Sequence, residues 1–446
     1  MEEHAHIQSK AHIVSVNMGY GHERAAFALR GLAKNAIITA NDYPGIPEAD
    51  RRLWRQSRKG YEFVSRLQPI PLLGKLVFGA MDAMQKIDPF YPRRDLSHPT
   101  LQVQQNEFAI HRRQLGKHLI KKLAQNPKPL ISTFFLPAFA AEAFDYPEDI
   151  YLVVCDADCS RAWANNIPQK SRIKYLVPNG RVVERLKLYG VPEKNIFLTG
   201  FPLPPELIGT PDAQKLKADL RERIRRLDPH GIFTEKYAHT LEMELGTDEA
   251  RGPIAPPTIA FCIGGAGAQR KLALTVLQSL APRLKNGELI FRLIPGTNPE
   301  LRDLFTTFIA QCGLQRELNS HVFIDWYSDR PTYFREFSKL LRSVDVVWTK
   351  PSEMSFYTGA GLPIIMAPSI GSQEVFNRQW LKSVGGGVTQ NDPRYTNEWF
   401  FDWLHSGGLA RMAWNGYIEA PTHGTYRIHG LVSGETFQLP RLPLII

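Results

Sequence analysis

Short apolar segments alternate with helix-like segments in both halves of the chain, and this alternation restricts the fold more than any other feature of the sequence. The predicted strands of the first half are His12–Val16, Ala36–Ala40, Leu130–Phe134, Ile150–Val154 and Ile173–Val177. Those of the second half are Thr258–Ile263, Leu289–Ile294, Val322–Ile324, Val344–Trp348 and Pro363–Met366. Strands that are joined through helices pair in parallel, so each half predicts a doubly wound parallel sheet. We therefore expect an α/β protein with two Rossmann-like domains that face each other across a cleft.

The length of the chain also indicates two domains, because 446 residues exceed what one hydrophobic core ordinarily organises. Prolines at the end of the first half predict a domain boundary at Pro204. The predicted division has an N-terminal domain over residues 1–204 and a linker with a charged insertion over 205–256. A C-terminal domain over 257–416 and a tail over 417–446 complete it.

The composition is that of a soluble globular protein, with 43% hydrophobic and 22% charged residues. The N-terminus is acidic and is followed by no apolar run, so we expect no signal peptide. No stretch of about 20 apolar residues predicts a membrane-spanning helix. The four cysteines lack metal-like spacing and are typical of reduced thiols in a cytoplasmic protein.

Positive charge is concentrated in residues 51–128. This stretch holds 16 Lys and Arg against 5 Asp and Glu, which gives +11, while the whole chain carries +10. Its cations alternate with apolar and aromatic residues such as Trp54, Phe63 and Phe78, a pattern that suits the interface of an anionic bilayer. The structural alternative is a pair of core-packed helices with solvated basic faces. No nucleic-acid-binding motif occurs, so we do not expect a nucleic-acid partner.

Two clusters of polar residues follow neighbouring predicted strands of the second half. They are Lys350, Ser352 and Glu353 after the first strand, and Gln373, Glu374 and Asn377 after the next. The carboxyl edge of a parallel sheet is where open α/β folds bind nucleotides and sugars. A carboxylate such as Glu353 can accept two hydrogen bonds from a ribose diol. The structural alternatives are a helix cap at Ser352 and an ordinary helix start at Gly371.

A glycine-rich turn lies at the start of the second half, between a predicted strand and a helix. It reads Gly264-Gly265-Ala266-Gly267-Ala268-Gln269 and is followed by Arg270 and Lys271. Small residues let backbone amides approach an anion closely, and the two cations add charge, so the turn suits a diphosphate. It lacks the Gly-Lys-Ser/Thr ending of a Walker loop.

Two turns of the first half carry the candidate catalytic residues. Gly19, Gly21 and His22 lie between a strand and a helix, and Asp156 follows a strand with Trp163 seven residues later. His22 is expected at the helix start, near a ligand, and Asp156 can orient an acceptor or act as a base. The structural alternatives are a capping histidine and a helix cap at Asp156. The first turn lacks the third glycine of the dinucleotide-binding fingerprint.

Six motifs in one order resemble those of the two-domain GT-B glycosyltransferases. The nearest branch contains MurG, the plant monogalactosyldiacylglycerol synthases and the bacterial processive diacylglycerol glucosyltransferases. The motifs are Gly19–His22, Asp156 with Trp163, Val177–Leu203, Gly264–Gln269, Pro295–Leu301 and Lys350–Asn377. The resemblance covers most of residues 12–405.

The resemblance implies transfer of a sugar from a UDP-sugar to a hydroxyl acceptor, with inversion of the anomeric centre. The donor would contact Gly264, Gly265, Gln269, Arg270, Lys350, Ser352, Glu353, Gln373, Glu374 and Asn377. His22 or Asp156 would take the acceptor proton. The nucleotide-sugar is a substrate, so no cofactor is expected, and the absence of clustered carboxylates predicts independence from metal. The acceptor would be a lipid or glycan, met at the cytoplasmic leaflet through the basic stretch.

Two positions depart from the family pattern. Phe356 stands where the family has a ribose-binding glutamate, so Glu353, one turn earlier, is expected to take that role. Ser160 stands where the family has a histidine. Two other functions therefore stay open: a nucleotide-sugar 2-epimerase, which has the same fold, and a catalytically inactive GT-B protein that binds a nucleotide-sugar.

Overall fold

The structure is a computed structural model that describes residues 11–56, 87–247, 252–263, 269–369 and 372–442. The strands of its first sheet are β1 (His12–Ser15), β2 (Ile38–Thr39), β3 (Leu130–Ser132), β4 (Ile150–Val153), β5 (Lys174–Val177) and β6 (Ile196–Leu198). All pair in parallel, in the order β2-β1-β3-β4-β5-β6. Val14 of β1 lies between Ile38 of β2 and Ser132 of β3, which fixes the register at the centre.

The second sheet repeats this plan. Its strands are β7 (Thr258–Cys262), β8 (Ile290–Gly296), β9 (Val322–Trp326), β10 (Val346–Thr349), β11 (Ile364–Met366) and β12 (Gly387–Thr389). They are also parallel, in the order β12-β11-β10-β7-β8-β9. The central strands of both sheets are buried along their length. Continuous apolar runs produce such strands because helices cover both faces of a parallel sheet.

Helices connect the strands. Those before Pro204 are α1 (Tyr20–Ala28), α2 (Leu101–His111), α3 (Lys117–Ala124), α4 (Phe135–Ala143) and α5 (Gly180–Leu188). Those after it are α6 (Pro205–Ile208), α7 (Gln214–Leu227), α8 (Ile232–Leu245), α9 (Arg270–Lys285), α10 (Pro299–Gln311), α11 (Arg330–Leu340), α12 (Met354–Gly359), α13 (Ser372–Ser383), α14 (Thr396–His405), α15 (Gly408–Glu419) and α16 (Gly424–Ser433). The predicted α/β fold with two Rossmann-like domains is confirmed. Among the described residues, no helix has the length and apolar character needed to cross a bilayer.

Each sheet reverses its strand order at one point. In the first sheet the chain moves outward from β1 to β2 and then returns to place β3 on the other side of β1. In the second it moves outward from β7 through β8 to β9 and returns with β10 beside β7. At such a switch point the two flanking loops leave the carboxyl edge in opposite directions and open a crevice that binds ligands. We therefore expect the candidate sites at these two crevices.

Contacts group the described residues into two compact units. The first unit takes residues from Met1–Pro204, Ile370–Trp380 and Pro421–Ile446, and the second takes Pro205–Ser369 and Leu381–Ala420. This grouping differs from the expected division in three segments. The expected linker joins the second unit, and both the start of α13 and the C-terminal tail from Pro421 join the first.

Buried arginines attach the expected linker to the second unit. Arg223 of α7 donates to the carbonyl oxygens of Leu341, Val344, Ala360 and Gly361. One turn later, Arg226 pairs with the buried carboxylate of Asp345 at 2.9 Å. The helix was expected to belong to a linker with a charged insertion, but two of its arginines bond carbonyl and carboxylate oxygens of the second unit.

The C-terminal tail packs against the end of the first half through a very close approach of two backbones. A Cβ added at Gly424 would lie 2.3 Å from the carbonyl oxygen of Phe201 and 2.5 Å from that of Gly200. The hydroxyl of Thr425 also donates to the carbonyl oxygen of Leu203. Glycine at 424 therefore permits α16 to pack here, and the tail is an integral part of the first unit.

Candidate functional site

His22 lies at the switch point of the first sheet. It belongs to the first turn of α1, directly after β1, and its Nδ1 is 2.7 Å from the carbonyl oxygen of Thr133, which follows β3. The ring packs edge-on against Phe134, with 5.0 Å between centroids, and lies 6.1 Å from the ring of Trp163. The side chain is thus fixed across the crevice by one hydrogen bond and two aromatic contacts.

The bond to Thr133 determines the tautomer of His22. A carbonyl oxygen only accepts, so Nδ1 carries the proton and donates it, which leaves the lone pair on Nε2. Desolvation by the surrounding aromatic rings lowers the pKa of His22 to about 4, against the smaller opposing effect of the Thr133 hydrogen bond. At neutral pH the ring is uncharged, and Nε2 can accept a proton from a bound hydroxyl group.

The two glycines of this turn have different conformations. Gly19 has φ +128°, which L-residues rarely adopt, and no described atom lies within 4 Å of the position that a Cβ would occupy. Gly21 lies inside α1, whose first residue is Tyr20. Among the described residues, nothing therefore covers the backbone at Gly19, three residues before His22.

Asp156 lies in the loop after β4. It is half-buried, whereas its neighbours Cys155, Ala157, Asp158 and Cys159 are all buried. No helix of the described chain begins at Asp156, so it is not a helix cap; the next helical turn is a 3-10 turn at Arg161–Trp163. This loop presents one carboxylate at the same edge of the sheet as His22.

A buried ion pair fixes the loop that carries Asp156. Arg185 of α5 donates to both carboxylate oxygens of Asp158, at 2.9 and 2.8 Å, and both side chains are almost fully buried. Arg185 also donates to the carbonyl oxygen of Asp88, and its guanidinium lies 5.1 Å from the ring of Phe90. This ion pair was not predicted, although a charged residue on the apolar face of a helix such as α5 indicates a buried partner of opposite charge.

Trp163 is buried among aromatic rings and does not present its face to solvent. Its ring lies 5.5 Å from that of Phe135 and 6.4 Å from that of Phe134. Phe134 in turn contacts His22. Trp163 therefore supports the aromatic rings against which His22 packs. Phe134 and Thr133, which also contact His22, had no predicted role.

At the switch point of the second sheet, Lys350, Ser352 and Glu353 follow β10. All three are half-buried. The backbone N–H of Ser352 donates to the carbonyl oxygen of Lys350 at 2.7 Å, which makes the turn tight. Glu353, and not Ser352, occupies the N-cap position of α12. The alternative of a serine cap is therefore wrong, and Glu353 directly precedes the helix instead of forming its first residue.

Phe356 is part of the core of the second unit. Its side chain is fully buried, and its ring packs edge-on against that of Tyr357, 5.1 Å away. A ligand at the sheet edge does not reach this position. Directly before this helix, Glu353 is half-buried at the sheet edge.

The glycine-rich turn is only partly described, because Gly264 and Gly265 lie outside the described residues. Its last residue, Gln269, donates from Nε2 to the carbonyl oxygen of Pro368 at 3.4 Å, a long hydrogen bond that joins the loops after β7 and β11. Arg270 begins α9 and is exposed. Both residues lie at the carboxyl edge of the second sheet, as predicted for a turn after β7.

The cluster at the start of α13 is placed differently from its prediction. Gln373, Glu374 and Asn377 were expected in the C-terminal domain, yet they group with the first unit. Asn377 is buried, and its Oδ1 accepts a hydrogen bond from the backbone N–H of Ala157 at 3.2 Å. Glu374 is also buried, whereas Gln373 is half-buried. Asn377 contacts the Asp156 loop because its helix packs on the first unit.

Within the described residues, no three His, Cys, Asp or Glu side chains cluster as metal ligands. Independence from metal stays a prediction.

No family model and no curated protein matches the chain. Similar solved structures include UDP-GlcNAc 2-epimerase from Neisseria meningitidis bound to UDP-GlcNAc, with 10% identity and a TM-score of 0.44 over 87% of this chain and 97% of that one. Anabaena HepE in complex with UDP and glucose has 12% identity and a TM-score of 0.40, over 72% and 82%. A glycosyltransferase from Rickettsia africae has 13% identity and a TM-score of 0.38, over 72% and 81%. With identities and TM-scores this low, we base the function on the residues of this chain.

Proposed function

We propose that the protein is a GT-B glycosyltransferase that moves a sugar from a nucleotide-diphosphate sugar, a UDP-sugar by resemblance, to a hydroxyl acceptor. The observation that carries the proposal is the state of His22: a neutral imidazole at a sheet switch point, with Nδ1–H bonded to Thr133 and the lone pair on Nε2. Transfer to a hydroxyl group requires a base of this kind, because the attacking oxygen loses its proton as the glycosidic bond forms.

In this mechanism the donor binds at the switch point of the second sheet. Lys350 and Arg270 offset the charge that develops on the leaving diphosphate, and Glu353 accepts hydrogen bonds from the ribose diol. Asp156 orients the acceptor, and His22 takes its proton. Attack from the side opposite to the leaving diphosphate inverts the anomeric centre.

Substitution of Glu353 by glutamine is expected to raise the KM for a UDP-sugar by roughly 10- to 100-fold, because hydrogen bonds to a charged carboxylate contribute about 1.5–3 kcal/mol. The measurement is sugar transfer and UDP release with a panel of UDP-sugars and hydroxyl acceptors. Glu242→Gln, at an exposed position of α8, is the control and should leave KM unchanged.

The same assay separates the competing functions. Appearance of the sugar on the acceptor with release of UDP supports transfer. Conversion of one UDP-sugar into its 2-epimer without release of UDP would instead identify an epimerase. Binding of UDP-sugar with no turnover on any acceptor would identify a catalytically inactive relative, and either result overturns the proposal.

We also propose that the acceptor is lipid-linked and that the first unit meets it at an anionic membrane on the cytoplasmic side. In the described part of the basic stretch, Leu101 and Phe108 of α2 are 66% and 53% exposed. They line an open groove of about 370 Å³ together with Leu53 and Arg113, whose guanidinium lies 5.5 Å from the Phe108 ring. Exposed apolar side chains beside exposed arginines suit an anionic bilayer surface. Residues 57–86 of the stretch lie outside the described residues.

Phe108→Ser is expected to weaken binding to vesicles of phosphatidylcholine and phosphatidylglycerol by roughly 10- to 100-fold, since burying a phenylalanine side chain contributes about 1.5–3 kcal/mol. The measurement is co-sedimentation at low salt. Tyr395→Ser is the matched control, because Tyr395 of the second unit is also 53% exposed. Equal loss in both variants, or no binding by the wild type, would contradict membrane docking.

A further inference from the structure

Asn377 is buried beside the loop that carries Asp156, and its amide is already engaged there. The side chain is 1% exposed, and Oδ1 accepts the backbone N–H of Ala157 at 3.2 Å. That N–H belongs to the peptide bond between Asp156 and Ala157. This peptide plane includes the Cα of Asp156, so holding it restrains the backbone from which the side chain of Asp156 extends.

A second asparagine fixes the other side of the same residue. Asn179 donates from Nδ2 to the carbonyl oxygen of Ala157 at 3.0 Å, while its Oδ1 accepts the N–H of Val182 and caps α5. Ala157 is therefore hydrogen-bonded through both of its backbone polar groups to buried asparagine side chains. Tyr189 adds a bond from its hydroxyl to the carbonyl oxygen of Cys159 at 2.8 Å.

These contacts hold the residues that directly follow Asp156. Asp158 is fixed by Arg185, Ala157 by Asn179 and Asn377, and Asp156 alone among residues 155–159 is half-buried. The bond from Asn377 differs from the others because it comes from α13 and not from α5 or its flanks. Phe376, the neighbour of Asn377, lies 5.6 Å from the guanidinium of Arg185 and so packs on the same loop.

We propose that Asn377 is a positioning residue that sets the orientation of the Asp156 carboxylate for the acceptor, and that it does not read hydroxyl groups of the donor sugar. The inference rests on the proposed function, since it assigns Asp156 to the acceptor. Its physical basis is that a side chain with 1% exposure offers almost no surface to a ligand, and that removing its amide leaves the buried N–H of Ala157 without its acceptor.

The test compares Asn377→Ala with Asn377→Asp, which keeps an oxygen where Oδ1 accepts. In Asn377→Ala we expect hydrogen exchange at the Ala157 amide to rise roughly tenfold or more, with kcat roughly tenfold lower and the KM for UDP-sugar within about twofold of wild type. Asn377→Asp is expected to recover most of the exchange protection and of kcat. Asn179→Ala removes the other bond to Ala157 and should also lower kcat without raising the donor KM.

The outcomes are distinguishable from those that test the proposed function. If the wild type transfers no sugar, the proposed function is wrong, and so is the positioning of Asp156 for an acceptor. The exchange data then establish only that Asn377 holds the backbone at Ala157. If the wild type transfers sugar but Asn377→Ala raises the donor KM tenfold and leaves exchange at Ala157 unchanged, Asn377 is a donor contact and the inference is overturned. Circular dichroism of each variant shows whether the fold is retained.

Discussion

His22→Gln is expected to lower kcat/KM for sugar transfer by about 10²–10⁴-fold, the range that a positioned general base contributes. Glutamine preserves a polar side chain of similar length and can still donate to the carbonyl oxygen of Thr133, but it has no basic nitrogen in the position of Nε2. The loss should therefore appear in kcat, while the KM for the UDP-sugar, which binds at the second sheet in our proposal, stays nearly constant. Initial-rate kinetics with saturating donor measure this.

His12→Gln is the matched control for His22→Gln. His12 lies at the amino end of the same strand, is buried, and bonds through Nε2 to the carbonyl oxygen of Asn126 at 2.9 Å. Like His22 it bonds to a backbone carbonyl oxygen, but it lies away from the carboxyl edge. An equal loss of activity in both variants would show that His22 acts through the stability of the fold and not as a base.

The pH dependence follows from the lowered pKa of His22. Because the folded state lowers this pKa from an ordinary value of 6.5 to about 4, the unfolded state binds more protons between these values. The contribution of His22 to stability is therefore complete above pH 6.5 and is lost as pH falls towards about 4. Nε2 likewise stays unprotonated, so kcat/KM should show no acid limb near 6.5. An acid limb at that pH would contradict the neutral state of the ring.

The alternation of strands and helices was sufficient to predict both sheets, because a parallel strand buried on both faces is necessarily a continuous apolar run. It also placed His22 and Asp156 at one sheet edge and Lys350 and Glu353 at another, since residues that follow parallel strands meet at the carboxyl edge. Phe356 stands where the family that the chain resembles has a glutamate, and the structure adds that its side chain is fully buried in the core.

The contacts that hold the loops could not be predicted from the sequence. Asn377 and Ala157 are 220 residues apart, and a polar residue after a strand looks the same whether it meets a ligand or a neighbouring loop. The charged helix α7 was interpreted as part of a linker. Its sequence does not show that the Arg223 guanidinium bonds to a backbone carbonyl oxygen beside β10. In both cases the partner is a backbone group, which carries no signature of its own in the sequence.

Arg185→Met is expected to lower the free energy of unfolding of the first unit by about 3–5 kcal/mol, because it leaves the buried carboxylate of Asp158 without its cationic partner. The double variant Asp158→Leu with Arg185→Met removes both charges and should be more stable than Arg185→Met alone, since no uncompensated charge remains. Urea-dependent hydrogen exchange of peptides from α5 measures the change in the unit that contains the pair.

Lys174→Met provides the control for this comparison. Lys174 pairs with Asp149 at 2.7 Å in the same unit, but both side chains are substantially exposed, so its loss should change the free energy of unfolding by less than about 1 kcal/mol. The two pairs have nearly equal lengths and differ in burial, so the contrast isolates the cost of a buried charge. Similar effects of Arg185→Met and Lys174→Met would mean that water reaches Asp158. The Asp156 loop would then have to be held by its other contacts, which include those of Asn179 and Asn377.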